Sequence, residues 1–263
     1  MIQVNDQARR IALCGKGGTG KTALTALIAR ALAESRSRPR LLVVDADPAM
    51  GLHQALGVEP GRNLGEVREE VLAVARGAER EAKIDLARRL DYLVFSTLRE
   101  LDGFVLLAMG RTDARGCFCP VNELLRDAID MLSRSFEVII IDGEAGLEQI
   151  NRQVVRRLDT LLIVSDSSAR GLNAAVDIER LVRSGAMECS RVDVVLNRVR
   201  DDGSRLRASA EALGLRVAAL VPEDAVLSAC DLAGDPLTRL PGDSPAMRAV
   251  RELAGRLLEG VGA

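Results

Sequence analysis

One octapeptide near the start of the chain constrains its fold more than any other feature. Residues 15–22 read G-K-G-G-T-G-K-T, directly after a short apolar run and at the start of a helical pattern. This spacing is typical of a loop whose glycines let several backbone N–H groups point at one phosphate, with the positive end of a helix behind them. We predict that Lys21 reaches the β- and γ-phosphates of a nucleotide and that the Thr22 hydroxyl binds Mg²⁺. The site is assigned to Gly15, Lys16, Gly17, Gly18, Thr19, Gly20, Lys21, Thr22 and Ala23.

The rest of the chain alternates short apolar runs with amphipathic stretches, which is typical of a parallel sheet with helices on both faces. Strands are predicted at 11–14, 41–45, 138–142, 160–165, 192–197 and 217–221. Helices are predicted at 21–34, 120–133, 148–158, 171–183, 204–213 and 245–258. We therefore expect a doubly wound, mainly parallel α/β sheet, with ligands at the C-terminal ends of its strands. The 263 residues are interpreted as one domain, 1–263.

One region departs from this alternation. Residues from about 57 to 116 are charged and largely helical in pattern, with weak strand candidates at 92–95 and 104–109. We interpret the region as an insertion after the second strand that carries mobile or partner-facing elements. His53, the only histidine, precedes it and is expected on a helix surface rather than as a ligand.

Composition narrows the range of partners. The net charge of -2 gives no general attraction to phosphate backbones, and with 2% aromatic residues there is little from which to build a base-stacking platform. We expect no nucleic-acid partner. The first ten residues do not resemble a secretory signal, and no apolar stretch approaches the roughly 20 residues of a spanning helix. A cytoplasmic protein without a membrane partner is the expectation.

Lys16 follows the first glycine of the loop, where phosphate binding does not by itself require a cation. Only three of the 36 basic residues are lysine, and two of them, Lys16 and Lys21, lie in the octapeptide. A compact charge on a flexible stem suits a crowded phosphate site, so we predict that Lys16 acts near phosphate; a solvated loop lysine is the alternative. The segment resembles the deviant phosphate loop of the group containing MinD, ParA, ArsA and the nitrogenase iron protein. That resemblance implies an ATPase in which Lys16 reaches the partner's nucleotide across an ATP-sandwich homodimer.

Two predicted strands end in carboxylates. Asp45 and Asp47 lie on one side of the chain at the end of the 41–45 run, and Asp142 ends the 138–142 run. Such residues hold Mg²⁺ through water or orient an attacking water, although an isolated pair more often caps a turn or helix. The D-x-D-P segment resembles the first switch of the same group. The resemblance implies that Asp47 positions the water and that Asp45 lies behind the direct ligands of the metal.

Three further residues complete the expected nucleotide site. Gly146, four residues after Asp142, resembles the second-switch glycine whose N–H meets the γ-phosphate; a helix-start glycine is the alternative. Asn197 ends an apolar run with an amide whose donor and acceptor suit the adenine edge, and a turn-forming asparagine is its rival. Pro222 ends the next run and resembles the other wall of the base pocket in this group.

Cys117 and Cys119 form a C-x-C motif. Thiols two residues apart are awkward partners for a mutual disulfide, but in an extended segment their sulfurs can converge on one metal ion. A tetrahedral thiolate site usually takes four ligands, which a symmetric dimer would supply. Two partly buried small residues are the alternative. The other thiols, Cys14, Cys189 and Cys230, are interpreted as structural.

The motif narrows the resemblance within the group. G-C-x-C-P-x-N-x-L-L-R, D-x-x-A-G-L-E and L-L-I-V-S resemble the CooC-type ATPases, maturation factors of nickel-containing carbon monoxide dehydrogenase. The resemblance runs over about residues 11–200. It implies ATP-dependent dimerisation, Ni²⁺ or Zn²⁺ held between subunits by Cys117 and Cys119, and carbon monoxide dehydrogenase as the client.

Two other functions stay open. The same four thiolates of a dimer could hold an iron–sulfur cluster, as in an ATP-dependent electron donor of the nitrogenase iron protein type. A positioning ATPase similar to ParA or MinD would bind DNA or membrane. Against the latter stand the acidic net charge and the 245–258 segment, which lacks a strongly basic face with aromatic anchors.

Overall fold

The computed structural model describes residues 8–47, 49–77, 80–110, 130, 132, 134–143 and 157–259. The strands within these ranges are β1 (Arg9–Cys14), β2 (Leu41–Asp45), β3 (Leu98–Leu101), β4 (Phe104–Ala108), β5 (Val138–Asp142), β6 (Arg157–Ser165), β7 (Glu188–Val199) and β8 (Val217–Pro222). They form one sheet in the order β3-β4-β2-β5-β1-β6-β7-β8. Every neighbouring pair is parallel except β3 and β4, an antiparallel hairpin at one edge. The predicted doubly wound, mainly parallel α/β sheet is confirmed.

Helices cover both faces of this sheet. They are α1 (Lys21–Ala33), α2 (Gly51–Leu56), α3 (Leu64–Gly77), α4 (Arg80–Phe95), α5 (Ala169–Leu181), α6 (Ser204–Ala212), α7 (Ala225–Ala233) and α8 (Pro245–Leu258). Helices α1, α2 and α8 contribute to the apolar core on one face, and α3, α4, α5 and α6 to the core on the other. No helix within the described ranges has both the length and the apolar character needed to span a bilayer.

The central strands are buried on both faces, which explains their unbroken apolar sequences. All five residues of β2 and all five of β5 are buried. The sheet order places β1 between β5 and β6, so the chain leaves β1 toward β2 on one side and later enters β6 on the other. A crevice at the C-terminal end of β1 follows from this reversal. The octapeptide 15–22, called the glycine loop below, begins there.

The 57–116 region contains one wrong prediction. Residues 92–95, predicted as a weak strand, are the last turn of α4, and the strand β3 comes after them. Leu90, Leu93 and Val94 recur at helical spacing and are buried, whereas Tyr92 and Phe95 are 68% and 50% exposed. A helix with an apolar side therefore produced a run that resembled a strand. The second candidate, 104–109, is confirmed by β4.

Other boundaries differ more modestly. The predicted helix 120–133 lies almost wholly outside the described residues, as does 148–158, but residues 157 and 158 belong to strand β6. Helices α2 and α7 were not predicted. Both are short and lie beside glycine or proline, where a periodic pattern has little length in which to show itself.

Candidate functional site

The glycine loop joins the end of β1 to the start of α1 and packs tightly at two points. Gly15 has φ 140°, and a Cβ placed there would lie 2.2 Å from the carbonyl oxygen of Val164 on β6. Gly20 has φ 88°, and a Cβ there would lie 2.6 Å from Asn197 Nδ2. Only glycine fits both positions. A Cβ at Gly17 would meet open space.

Lys21, the first residue of α1, turns its side chain back into the loop. Its Nζ donates to the carbonyl oxygens of Gly15 (3.1 Å) and Lys16 (3.2 Å), and the side chain is buried. Thr19 Oγ1 also donates to Lys16 O, at 2.9 Å. The ammonium therefore lies at the mouth of a curled backbone, where it can meet a phosphate oxygen. Lys16 itself is exposed.

Asp142 ends β5 beside the start of α1 and is 1% exposed. Its Oδ1 accepts a hydrogen bond from Thr25 Oγ1 at 3.1 Å, and Oδ2 is buried with no donor within the described part of the chain. Burial is the main cause that raises the pKa of Asp142 to about 7, with the Asp45 carboxylate adding to it, while the hydroxyls of Thr22 and Thr25 and the charge of Lys21 lower it. An orphaned carboxylate oxygen beside a hydroxyl suits a hydrated divalent cation.

Asp45 lies next to Asp142 in the strand register and is fully buried. Its Oδ1 accepts from the backbone N–H of Asp47 (3.2 Å) and its Oδ2 from that of Leu52 (3.1 Å). Asp47 is less buried, and its Oδ1 accepts from Ala49 N at 2.8 Å. Asp45 thus anchors the loop between β2 and α2, and the partly buried Asp47 lies within that loop.

Asn197, at the far side of the glycine loop, is 5% exposed, and its Nδ2 donates to Thr19 O at 2.8 Å. The amide donor therefore holds the loop itself, which leaves the side-chain oxygen of Asn197 as the group that can still accept from a ligand. Arg198 has φ 57° and donates to Gly18 O at 3.3 Å. Pro222 pairs with Val199 at the end of β8, partly buried.

Three residues escaped the prediction from sequence. Thr25 lies four residues after Lys21 on the same side of α1, and that spacing was an available signal. Arg198 directly follows Asn197, but its hydrogen bond to the glycine loop depends on a left-handed backbone conformation that cannot be predicted from the sequence. The third is His53. It is 5% exposed rather than on a helix surface, so the prediction for it was wrong; its Nδ1 lies 3.8 Å from Asp45 Oδ2.

Some predicted residues fall outside the described ranges, namely Gly146, Cys117 and Cys119. Within those ranges, no group of three or more His, Cys, Asp or Glu side chains is placed to hold a metal ion. Cys14 is buried, and desolvation raises the pKa of its thiol to about 12, which keeps it protonated and unsuited to ligation. Cys189 and Cys230 are partly buried free thiols.

Comparison with known proteins agrees with this geometry. The family model of the CobQ/CobB/MinD/ParA nucleotide binding domain matches residues 11–237. The chain is 37% identical to an uncharacterized ATP-binding protein of Methanocaldococcus jannaschii, over 94% of this chain and 98% of that protein. It is 31% identical to the carbon monoxide dehydrogenase accessory protein CooC of Rhodospirillum rubrum, over 96% of this chain and 97% of that one.

A solved structure supports the same fold. The septum site-determining protein MinD of Pyrococcus horikoshii, complexed with Mg-ADP, superposes with a TM-score of 0.71 at 21% identity, covering 98% of this chain and 99% of that chain. The family match spans most of the sequence, and the sheet and the glycine loop have the arrangement that nucleotide binding requires. The chain therefore belongs to the MinD/ParA-type family of P-loop nucleotide-binding proteins.

Proposed function

We propose that this chain is an ATP-hydrolysing metallochaperone that dimerises with Mg·ATP and assists nickel insertion into carbon monoxide dehydrogenase. One observation carries the proposal: a complete phosphate loop with its carboxylates lies in a chain that is 31% identical to the CooC accessory protein over nearly the full length of both. The C-x-C motif, Cys117 and Cys119, adds a metal-binding chemistry that nucleotide binding alone does not need.

The site has the groups that a triphosphate requires. The loop presents backbone N–H groups and the N-terminus of α1 to phosphate oxygens, and Lys21 already lies within that curl. Mg²⁺ would be held by the Thr22 hydroxyl and, through water, by Asp142, whose Oδ2 lacks a donor within the described residues. Bound there, the metal would neutralise charge on the β- and γ-phosphates.

Hydrolysis needs a water aligned with the γ-phosphate. We assign this role to Asp47, whose carboxylate is only partly buried and accepts from Ala49 N through Oδ1. Water attacks the γ-phosphorus, the bond from that atom to the β–γ bridging oxygen breaks, and ADP and phosphate leave. Lys21, with Lys16 of a second subunit, would stabilise the charge on the transferring group.

The dimer would also complete the cargo site. One C-x-C motif supplies two thiolates, so two copies supply the four of a tetrahedral site. Ni²⁺ or Zn²⁺ is the cargo, held only while nucleotide keeps the two motifs together. Opening after hydrolysis would release the metal to the client enzyme.

Metal stoichiometry tests the proposal. Protein purified without oxygen is incubated with ADP or ATP and with Ni²⁺ or Zn²⁺, and the metal bound per dimer is measured. We expect the double variant Cys117→Ser and Cys119→Ser to lose bound metal, while Cys230→Ser, a change at a single partly buried thiol, retains it. Equal binding by the double variant and the wild type would refute the cargo role.

Two further measurements separate the competing functions. A brown absorption spectrum of the oxygen-free protein would indicate an iron–sulfur electron donor instead, because Ni²⁺ and Zn²⁺ thiolates do not give it. Co-sedimentation of the ATP-loaded protein with DNA or liposomes would favour a positioning ATPase. Phosphate release, abolished by Lys21→Ala, checks the ATPase activity that all three functions share.

A further inference from the structure

The buried side of helix α2 contains an unsatisfied histidine. His53 is 5% exposed, and its Nδ1 has no hydrogen-bond partner within the described residues. A buried ring nitrogen without a partner costs stability in the state that contains it. A chain that keeps such an atom beside its reactive groups suggests a second state in which the atom is bonded.

A carboxylate oxygen of Asp45 lies close enough to become the missing hydrogen-bond acceptor for His53 Nδ1. Asp45 Oδ2 lies 3.8 Å from His53 Nδ1, beyond the range of a hydrogen bond. That same oxygen accepts from the backbone N–H of Leu52 at 3.1 Å. A movement of about 1 Å would bring Nδ1 within bonding distance of the carboxylate. The neutral imidazole suffices, provided that its proton is on Nδ1.

The backbone between Asp45 and His53 contains a conformation that costs free energy. Met50 has φ 51°, a left-handed conformation that disfavours a residue with a side chain. Asp47 Oδ1 accepts from the N–H of Ala49, which ties the orientation of this carboxylate to the conformation of the loop. Gly51 lies against the methyl group of Thr22, with 3.7 Å between a Cβ placed on the glycine and Thr22 Cγ2. The start of α2 therefore adjoins the residue that we propose as a metal ligand.

We propose that His53 is a positioning residue for hydrolysis, which donates from Nδ1 to Asp45 Oδ2 when Mg·ATP is bound. The new bond replaces the one from Leu52 N–H and holds the loop in the conformation that turns Asp47 toward the γ-phosphate. His53 touches neither nucleotide nor water; it acts through Asp45. The inference rests on the proposed ATPase function and adds to it a residue that controls the switch.

Side-chain replacements with matched shape test it. His53→Asn places an amide donor where Nδ1 lies, His53→Gln places one nearer the position of Nε2, and His53→Leu fills the space without a donor. Each variant is measured for kcat, KM, ADP affinity and thermal unfolding. We expect His53→Leu and His53→Gln to lower kcat about tenfold and His53→Asn to stay within about threefold of wild type, since one hydrogen bond to a charged group has this scale.

The other readouts separate positioning from packing. ADP affinity should change less than about twofold, because the proposed bond forms only in the state that contains Mg·ATP. His53→Leu should unfold at the same temperature as wild type or higher, since it removes an unsatisfied polar atom. A wild-type kcat in His53→Leu, or losses of kcat that follow losses of unfolding temperature in all three variants, would overturn the proposal. If His53→Leu fails to fold, the Asn and Gln pair decides, and equal kcat in these two overturns it.

A measurement that needs no ATP hydrolysis distinguishes an error in the role of His53 from an error in the proposed function. Amide hydrogen exchange of the 46–52 segment is followed with and without Mg²⁺ and a non-hydrolysable ATP analogue. We expect the wild type and His53→Asn to gain protection and His53→Leu to gain none. If the wild type neither binds the analogue nor releases phosphate, the proposed function is wrong; if it does both and His53→Leu behaves like it, only the role of His53 is wrong.

Discussion

Gly15 and Gly17 lie two positions apart in the same loop, yet the space around them differs, and we expect alanine to be tolerated at only one of them. A Cβ at Gly15 would lie 2.2 Å from Val164 O, at φ 140°, whereas one at Gly17 would meet nothing within 4 Å. Gly15→Ala should therefore lower the free energy of unfolding by about 2–4 kcal/mol and Gly17→Ala by less than about 1 kcal/mol. Urea unfolding of both variants without nucleotide measures this. Equal losses would contradict the close approach of the loop to β6.

Asp142 gives the site a pH dependence whose sign follows from its raised pKa. Its carboxyl ionises at about 3.8 in the unfolded chain but, mainly because of burial, at about 7 in the folded one. The folded state therefore binds more protons between these values, and its stability falls as the pH rises from about 4 to 7 and then levels. Asp142→Asn removes this loss. Without Mg²⁺ and nucleotide, the gain of the variant in unfolding free energy should be small at pH 4 and reach up to about 4 kcal/mol at pH 8.

Urea unfolding across that pH range measures the difference between variant and wild type. A gain of constant size at every pH would mean that the carboxyl is not the titrating group. Repeating the series with Mg²⁺ and ADP gives a second check, since a bound cation favours the ionised carboxylate and should reduce the gain of the variant.

At the residue scale, sequence predicts best where chemistry demands one residue type at a fixed spacing. Gly15, Gly20 and Lys21 meet in space because the loop itself sets their separation. His53 and Arg198 could not be found this way. The groups near them, Asp45 and Gly18, are brought close by the turn after β2 and by a left-handed backbone at Arg198. Neither feature leaves a periodic signal in the sequence.

At the scale of elements, one carboxylate joins the last strand to two helices. Asp224 is 5% exposed; its Oδ1 accepts from the N–H groups of Val226 (2.9 Å) and Leu227 (3.2 Å) in α7, and its Oδ2 from Ala246 N in α8 (3.0 Å). Asp224→Ala leaves three donors without that acceptor, so we expect unfolding free energy to fall by about 2–3 kcal/mol. Asp202→Ala, which removes an exposed carboxylate that accepts from Ser204 N and Oγ, is the control and should lose clearly less than Asp224→Ala does.

Elements were predictable in proportion to how fully their neighbours bury them. Strands β2 and β5 match their predicted limits, because a strand buried on both faces is an unbroken branched apolar run. The end of α4 was predicted as a strand. Its exposed residues, Tyr92 and Phe95, stand beside buried ones, and which residues are buried depends on the side of the helix that packs against the core. The antiparallel pairing of β3 with β4 likewise depends on a turn at the sheet edge.

For the whole molecule, the order of strands explains why distant segments share one site. One end of the sheet, where the parallel strands have their C-termini, brings together the loop after β1, the ends of β2 and β5, and the end of β7. The alternation of strands and helices predicts such an end, but it does not predict which strand lies beside β1. That order places Asp142 next to Asp45.

The exposed position of Lys16 at this end of the sheet leads to a prediction about assembly. Its side chain is exposed, so its charge is accessible to the nucleotide of another subunit. With Mg²⁺ and a non-hydrolysable ATP analogue, light scattering should show the 28.2 kDa chain doubling in mass, whereas Lys16→Ala stays at the single-chain mass and still binds ADP. Lys83→Ala removes the one lysine outside the loop and should dimerise as the wild type does. A Lys16→Ala dimer of wild-type stability would mean that the lysine acts only within its own subunit.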